Sequence, residues 1–312
     1  MVRLLLASLA VVMVPGWGLA RDRELLIVIG AEGSLEFAVP FAEAATQWAQ
    51  AAERAGDVST TLIDSRERLK SEIERQVEAK PQELWVVLIG HGTFDGRSAK
   101  FNLEGDDVSA SELGEWFEGW TSGELVFINT ASASAPFIPA LKGPNRTVIT
   151  ATKSGAEVNI TRFGKYLAKS LQSNLADLNK DGQISVLEAF LLASSHTAEF
   201  YEKERRLATE QALIDDNGDG KGIRADWFDG MRVAKNVGEE AIPDGQRSRN
   251  LHLVPGELDR QLSAEARARR NELEVEAEKL RENRDELSEA DYYEKLEAIF
   301  VEIAQIYGEA GS

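Results

Sequence analysis

The sequence predicts an α/β protein, a three-layer α/β/α sandwich on a mainly parallel sheet, with further helices after it. Two observations predict it. Between residues 21 and 175 short apolar runs alternate with longer amphipathic stretches in β-α-β-α-β order, which implies parallel strands covered on both faces. Each apolar run is continuous rather than alternating and is followed at once by small and polar residues. That is how a strand buried on both faces delivers side chains to the carboxyl edge of its sheet, where ligands collect in open α/β folds.

The chain has 312 residues and a hydrophobic fraction of 43%, ordinary for a globular protein. Residues 1–20 stand apart. Arg3 precedes an apolar run from Leu4 to Pro15, and Gly18-Leu19-Ala20 offers small residues before Arg21, the pattern of a secretory signal peptide. The run is too short for a membrane-spanning helix. Export from a bacterial-type cell, to the periplasm or the medium, is the expectation. There is no cysteine, so no disulfide staples the fold and no thiolate nucleophile exists. The net charge of −18 argues against a broad nucleic-acid-binding face and suits cations.

The α/β domain is expected over 21–175. Leu25–Ile29 is the first strand, followed by Gly30-Ala31-Glu32-Gly33, which reads as a tight strand-to-helix turn. A helix opens at Ser34 or Glu36 and carries Phe37, Phe41, Ala45, Trp48 and Ala52 at helical spacing to about Ala55. Ser59–Ile63 is the second strand, and Asp64 or Ser65 caps a charged helix that ends before Pro81. Glu83–Ile89 is the third strand and ends in Gly90-His91-Gly92. Lys100–Leu103 is a candidate hairpin strand, and Ser109-x-x-Glu112 a capping box for the helix carrying Leu113, Trp116 and Phe117. Glu124–Ile128 ends in Asn129-Thr-Ala-Ser-Ala-Ser134, Thr147–Thr150 in Ala151–Gly155, and a helix is expected from Arg162 to about Ala176.

Residues 177–188 then match D-x-[DN]-x-[DN]-G-x5-E at every position. Calcium needs several hard oxygens on one point. Asp177, Asn179 and Asp181 supply side-chain oxygens, Gly182 the sharp turn, Gln183 its backbone carbonyl, Ser185 a direct or water-mediated contact, and Glu188 two closing oxygens. Ile184 holds the apolar-anchor position. Asp215-x-Asn217-x-Asp219-Gly220-Lys221 begins the same way, with Lys221 where the first loop has Gln183, Gly222 at the anchor and Asp226 in place of the closing Glu, and is a candidate second site. An EF-hand-like calcium-binding helical segment is therefore expected over 176–233, with a helix from Val186 to Tyr201 and a further helical run to Leu213. Residues 234–256 read as a linker. Residues 257–312 read as a charged helical hairpin, broken at Ser288, with Leu273, Ala277, Leu280, Leu296, Ile299, Ile303 and Ile306 as its apolar stripe.

His91 at one strand end and the Ser-rich turn after the next carry a resemblance. Val86–Ile89 with His91-Gly92, and Val126–Ile128 with Asn129–Ser134, resemble the caspase-haemoglobinase fold, particularly the legumain-type (asparaginyl endopeptidase) peptidases and their bacterial relatives. His91 and Ser132 stand 41 positions apart, close to the family's spacing, and Thr161–Leu167 resembles the segment after the fifth strand there. The resemblance implies a caspase-like sheet, His91 as general base and the Gly92 N–H in the oxyanion site. The family's nucleophile is a Cys, and Ala131 or Ser132 holds that place here. A hydroxyl is harder to ionise than a thiol and needs a close, oriented base. The first expectation is thus a peptidase homologue without catalysis, acting as a calcium-loaded binding module for a protein or peptide. A Ser-dependent hydrolase using Ser132 and His91 is the rival, and a hairpin interface on an inert scaffold is the third reading.

Overall fold

The computed structural model describes residues 22–121, 123–234 and 243–310. The signal-peptide reading of 1–20 lies outside them. The chain forms β1 (Arg23–Ile29), α1 (Leu35–Ala55), β2 (Val58–Ile63), α2 (Arg66–Ala79) and β3 (Glu83–Ile89). Three short strands follow, β4 (Gly92–Phe94), β5 (Ala99–Phe101) and β6 (Val108–Ser109), then α3 (Ala110–Trp116), β7 (Glu124–Asn129), α4 (Phe137–Leu141) and β8 (Arg146–Thr150). Next come α5 (Phe163–Ser170), α6 (Val186–Lys203) and β9 (Leu213–Asp215). Two-residue strands β10 (Phe228–Asp229) and β11 (Arg232–Val233) pair with each other, and α7 (Ala264–Glu282) and α8 (Glu289–Ala310) close the chain.

Among the described residues the main sheet runs β2-β1-β3-β7-β8-β9, parallel except for β9. Successive residues of the central strands enter opposite cores. Leu25 and Ile27, Trp85, Val87 and Ile89, and Val126 and Ile128 pack under α1, α5 and α6. Leu26 and Val28, Leu84, Val86 and Leu88, and Leu125 and Phe127 pack under α2, α3 and α4. This is the three-layer α/β/α sandwich with a mainly parallel sheet. The capping box at Ser109 is present, with Ser109 Oγ accepting from Glu112 N and Glu112 accepting from Ser109 N. Its carboxylate also pairs with Arg66.

The chain beyond residue 176 departs from expectation in three places. α5 stops at Ser170, because the chain turns through Ser173, whose Oγ accepts from Leu175 N; no helix runs directly into Asp177. The helical run to Leu213 is absent: α6 ends at Lys203, Arg205 turns the chain at φ 53°, and β9 joins β8 antiparallel as the sixth strand. Within 243–256, read as linker, Leu251 and Leu253 are buried in the α1/α5/α6 core. Leu251 O accepts from Val186 N at 2.8 Å, and Arg23 Nη2 donates to His252 O at 2.6 Å. The segment is part of the sandwich. α7 and α8 form the expected antiparallel hairpin, joined through Leu273, Ala277 and Ile299 and by the Arg269–Glu302 ion pair.

Leu253→Ala decides between packing and tether. It should lower unfolding stability by about 2–5 kcal/mol in a urea titration, as for a buried leucine elsewhere; a tether residue would change it by under about 0.5 kcal/mol.

Candidate functional site

The turns after β3, β7 and β8 meet at the carboxyl edge of the sheet. Gly92 starts β4 directly after His91, and Ser132 sits in the turn after β7. The Gly92 N–H donates to Ser132 Oγ at 3.3 Å, and Ser132 Oγ donates to Gly92 O at 2.9 Å. A Cβ on Gly92 would lie 2.1 Å from Ser132 O, so only glycine allows this approach. The half-buried His91 ring turns the other way: Nε2 meets Glu32 O at 3.2 Å, and Phe37 and Phe41 of α1 pack edge-on at 4.7 and 5.1 Å between ring centroids. Ser134 is fully buried and bonded to Thr152 through both its N–H and its Oγ. The fold thus brings His91, Gly92 and Ser132 to one edge. Among the described residues, however, the His91 ring makes no hydrogen bond to Ser132 or Ser134. The Gly92 N–H, placed by resemblance in an oxyanion site, is occupied by the hydroxyl itself.

The loop from Asp177 to Glu188 curls on its own backbone. Gly182 N donates to Asp177 Oδ2 at 3.3 Å, Asp181 N to Asn179 Oδ1 at 3.0 Å and Gln183 N to Asp181 Oδ1 at 2.9 Å. Gly182, at φ 84°, makes the turn possible. These bonds tie the side chains of positions one, three and five to the loop's own backbone. Asp177 Oδ1 is buried and has no hydrogen-bond partner, a costly state for a carboxylate oxygen. Ile184 packs on the α1/α5/α6 core, as an apolar anchor should. Glu188 is fully buried at the start of α6. Its Oε1 accepts from Leu178 N at 2.8 Å and Asn179 N at 3.3 Å, and its Oε2 from Ser185 N and Ser185 Oγ, both at 2.8 Å. Ser185 completes a capping box with it. Four donors occupy the lone pairs of this carboxylate. Among the described residues no three His, Asp or Glu side chains are gathered as a ready-made metal cluster; here Glu188 is folded back onto the loop, and two of the other donors are an amide and a backbone carbonyl.

The second loop leaves a strand, β9, instead of a helix. Asp215 accepts from Gly218 N at 2.9 Å and Gly220 N at 2.8 Å; Asn217 Oδ1 accepts from Asp219 N, and Asp219 Oδ1 from Lys221 N. Gly222 stands at the anchor position because a Cβ there would lie 2.6 Å from Ile138 of α4. Asp226 pairs with Arg224 at 2.8 Å and lines a cavity of about 460 Å³ beside α6.

Several buried groups carry no mark in the local sequence. Asp216 and Asp244 each cap the other's turn: Asp216 accepts from Gly245 N and Ser248 N, and Asp244 Oδ1 from Asp216 N and Asn217 N. Burial pushes Asp244 up to about 8 and Asp215 up to about 6. Both lie above the ordinary carboxyl value, so their contribution to stability is present in acid and is lost as pH rises through about 6 and then about 8. Asp244-Gly245 is a turn signal, but nothing local says that it faces Asp216. Glu210, also buried, receives Arg162 N, Phe163 N and Tyr201 OH and so closes the start of α5; no local pattern marks it. His252 is buried, and that burial pushes its ring down to about 4.

No protein-family model and no curated protein matches the chain. Among solved structures, the Drosophila initiator caspase Dronc is similar at a TM-score of 0.43 and 11% identity, over 65% of this chain and 82% of that one. Caspase-1 from Spodoptera frugiperda is similar at a TM-score of 0.43 and 12% identity, over 62% and 86%. Likeness at this level assigns no residue a role.

Ser132 Oγ is bonded to both the N–H and the carbonyl of Gly92. A fluorophosphonate probe should leave the purified protein unlabelled, and Ser132→Ala should cost about 1–3 kcal/mol in stability because Gly92 loses a buried partner. Labelling that disappears in Ser132→Ala would instead make Ser132 a nucleophile.

Proposed function

We propose that this is an exported calcium-binding protein whose caspase/legumain-like α/β domain binds a protein or peptide and does not cleave it. The observation that carries the calcium reading is the buried, unpartnered Asp177 Oδ1 inside a complete twelve-position loop. An isolated carboxylate oxygen out of water is stabilised by a cation, and the positions that would supply the other oxygens are Asn179, Asp181, the Gln183 carbonyl, Ser185 and Glu188. Glu188 joins by exchanging its bonds to Leu178 N and Asn179 N for the metal. The second loop is proposed as a weaker site, because Asp226 is already paired with Arg224.

The non-catalytic reading rests on the chemistry of the edge. There is no cysteine, the Ser132 hydrogen goes to a backbone carbonyl, and the His91 ring faces Glu32 and α1. The placement of His91-Gly92 after β3 and Ser132 after β7 supports the legumain-type resemblance. Exposed Leu35 and Val39 on α1, and Val158 and Ile160 in the loop held against the β7 turn through Ala133 N and Glu157 O, give that edge an apolar rim suited to an apolar peptide or protein segment.

Calcium at roughly a hundredfold excess over its Kd should stabilise the full chain by about 2.7 kcal/mol, seen as a rise in Tm over a chelator control. Asp177→Ala should abolish the rise and leave the chelated baseline close to the parent's. An unchanged parent Tm, with no calcium bound in equilibrium dialysis, overturns the reading.

A further inference from the structure

In loops of this kind the seventh residue binds metal through its backbone carbonyl, which leaves its side chain for other work. Here that side chain is Gln183, and it is buried. Its Oε1 accepts the N–H of Gly256 at 2.9 Å, across 73 residues of sequence. Gly256 opens the turn that leads to the C-terminal hairpin: Arg260 N donates to Gly256 O, and Arg260 Nε to Pro255 O. Three residues beyond Gly256 lies Asp259, which forms an ion pair with Arg270 of α7 in which both side chains are 3% exposed. Tyr307 of α8 donates to the same carboxylate at 2.7 Å, and Arg270 Nη1 to Tyr307 OH at 2.6 Å. One buried carboxylate thus holds both hairpin helices, and the turn carrying it is pinned to the loop by Gln183. Residues 251–253 are fixed on the near side by Val186 N and Arg23.

Loop and hairpin also face each other across a cavity of about 610 Å³. Asn179, Asp181 and Gln183 line it from the loop, and Arg270, Glu274 and Phe300 from the hairpin. Asp181 of the loop faces Arg270 and Arg281 of the hairpin across this space, and Glu274 lies 3.7 Å from Arg270. A divalent cation in the loop draws the Gln183 carbonyl inward, which fixes the position of the side chain holding Gly256.

We infer that the Asp177–Glu188 loop is a calcium-operated latch for the C-terminal hairpin: loading the loop fastens α7 and α8 to the α/β body, and removing calcium loosens them. The inference rests on the calcium reading above and adds a consequence to it. Coupling is reciprocal, so a change that frees the hairpin weakens calcium binding by the factor by which calcium strengthens docking.

Hydrogen exchange on the full chain, read by mass spectrometry with calcium and with chelator, tests it. Calcium should slow exchange in α7 and α8 by roughly tenfold, within the usual range of such couplings. Gly256→Pro removes the N–H that the Gln183 side chain accepts and leaves every proposed metal-binding atom in place; it should abolish the slowing in α7 and α8 and lower calcium affinity roughly tenfold. Gly256→Ala keeps the N–H, and its Cβ would stand 3.4 Å from Gln183 Oε1, an ordinary contact, so it should behave as the parent. If calcium binds the parent and exchange in α7 and α8 does not change, the latch is wrong and the calcium site stands. If the parent binds no calcium, the reading beneath the latch falls with it.

Discussion

The burial of β1, β3 and β7 on both faces is the constraint on which the rest of the structure depends. A parallel strand with a core on each side has no surface of its own, so its only free side chains are those past its carboxyl end. That places His91 and the turn from Asn129 to Ser134 side by side, although 41 residues separate His91 from Ser132. The same constraint recruits distant chain. The core under α1 is completed by Leu187 and Phe190 of α6 and by Leu251 and Leu253, so the segment leading to the hairpin is anchored before the hairpin begins.

At the edge itself, proximity and chemistry separate. A serine needs a base that can take its proton, and the hydrogen of Ser132 is already given to Gly92 O while the His91 ring is held by Glu32 O and two aromatic rings. The bonding that makes the β3 and β7 turns fit together thus uses the hydroxyl of Ser132 as both donor and acceptor. A thiol, bulkier and already partly ionised near neutrality, would be a different case.

How much of this was legible depends on the range of the interaction. The central strands were readable because two-sided burial writes itself into consecutive residues such as Leu84–Ile89. β9 was not: three residues, Leu213–Asp215, follow a stretch rich in Glu and Ala, and only pairing with β8 makes them a strand. The linker reading of 234–256 gave weight to Gly, Pro and polar composition over the alternation of Leu251 and Leu253. The positions of His91 and Ser132 could be read from strand ends, but their partners depend on distances within a turn. The Asp-rich loop at 177–188 was legible as a motif. That Glu188 closes on Leu178 and Asn179, and that Gln183 reaches Gly256, was not, since both are set by tertiary packing.

The loop is where cation chemistry and architecture meet. The only cationic residue of the loop sequence is Lys180, which bonds to the carbonyl of Asp177, and among the described residues Asp177 Oδ1 is its buried side-chain oxygen without a hydrogen-bond partner. Calcium bound there, as proposed, would be visible in a crystal structure grown with calcium. The expected result is a cation within about 2.3–2.6 Å of Asp177 Oδ1, the Asn179 and Asp181 side chains and the Gln183 carbonyl, with Glu188 released from Leu178 N and Asn179 N. Density showing Glu188 still bonded to both N–H groups, and no ion beside Asp177 at millimolar calcium, would contradict it.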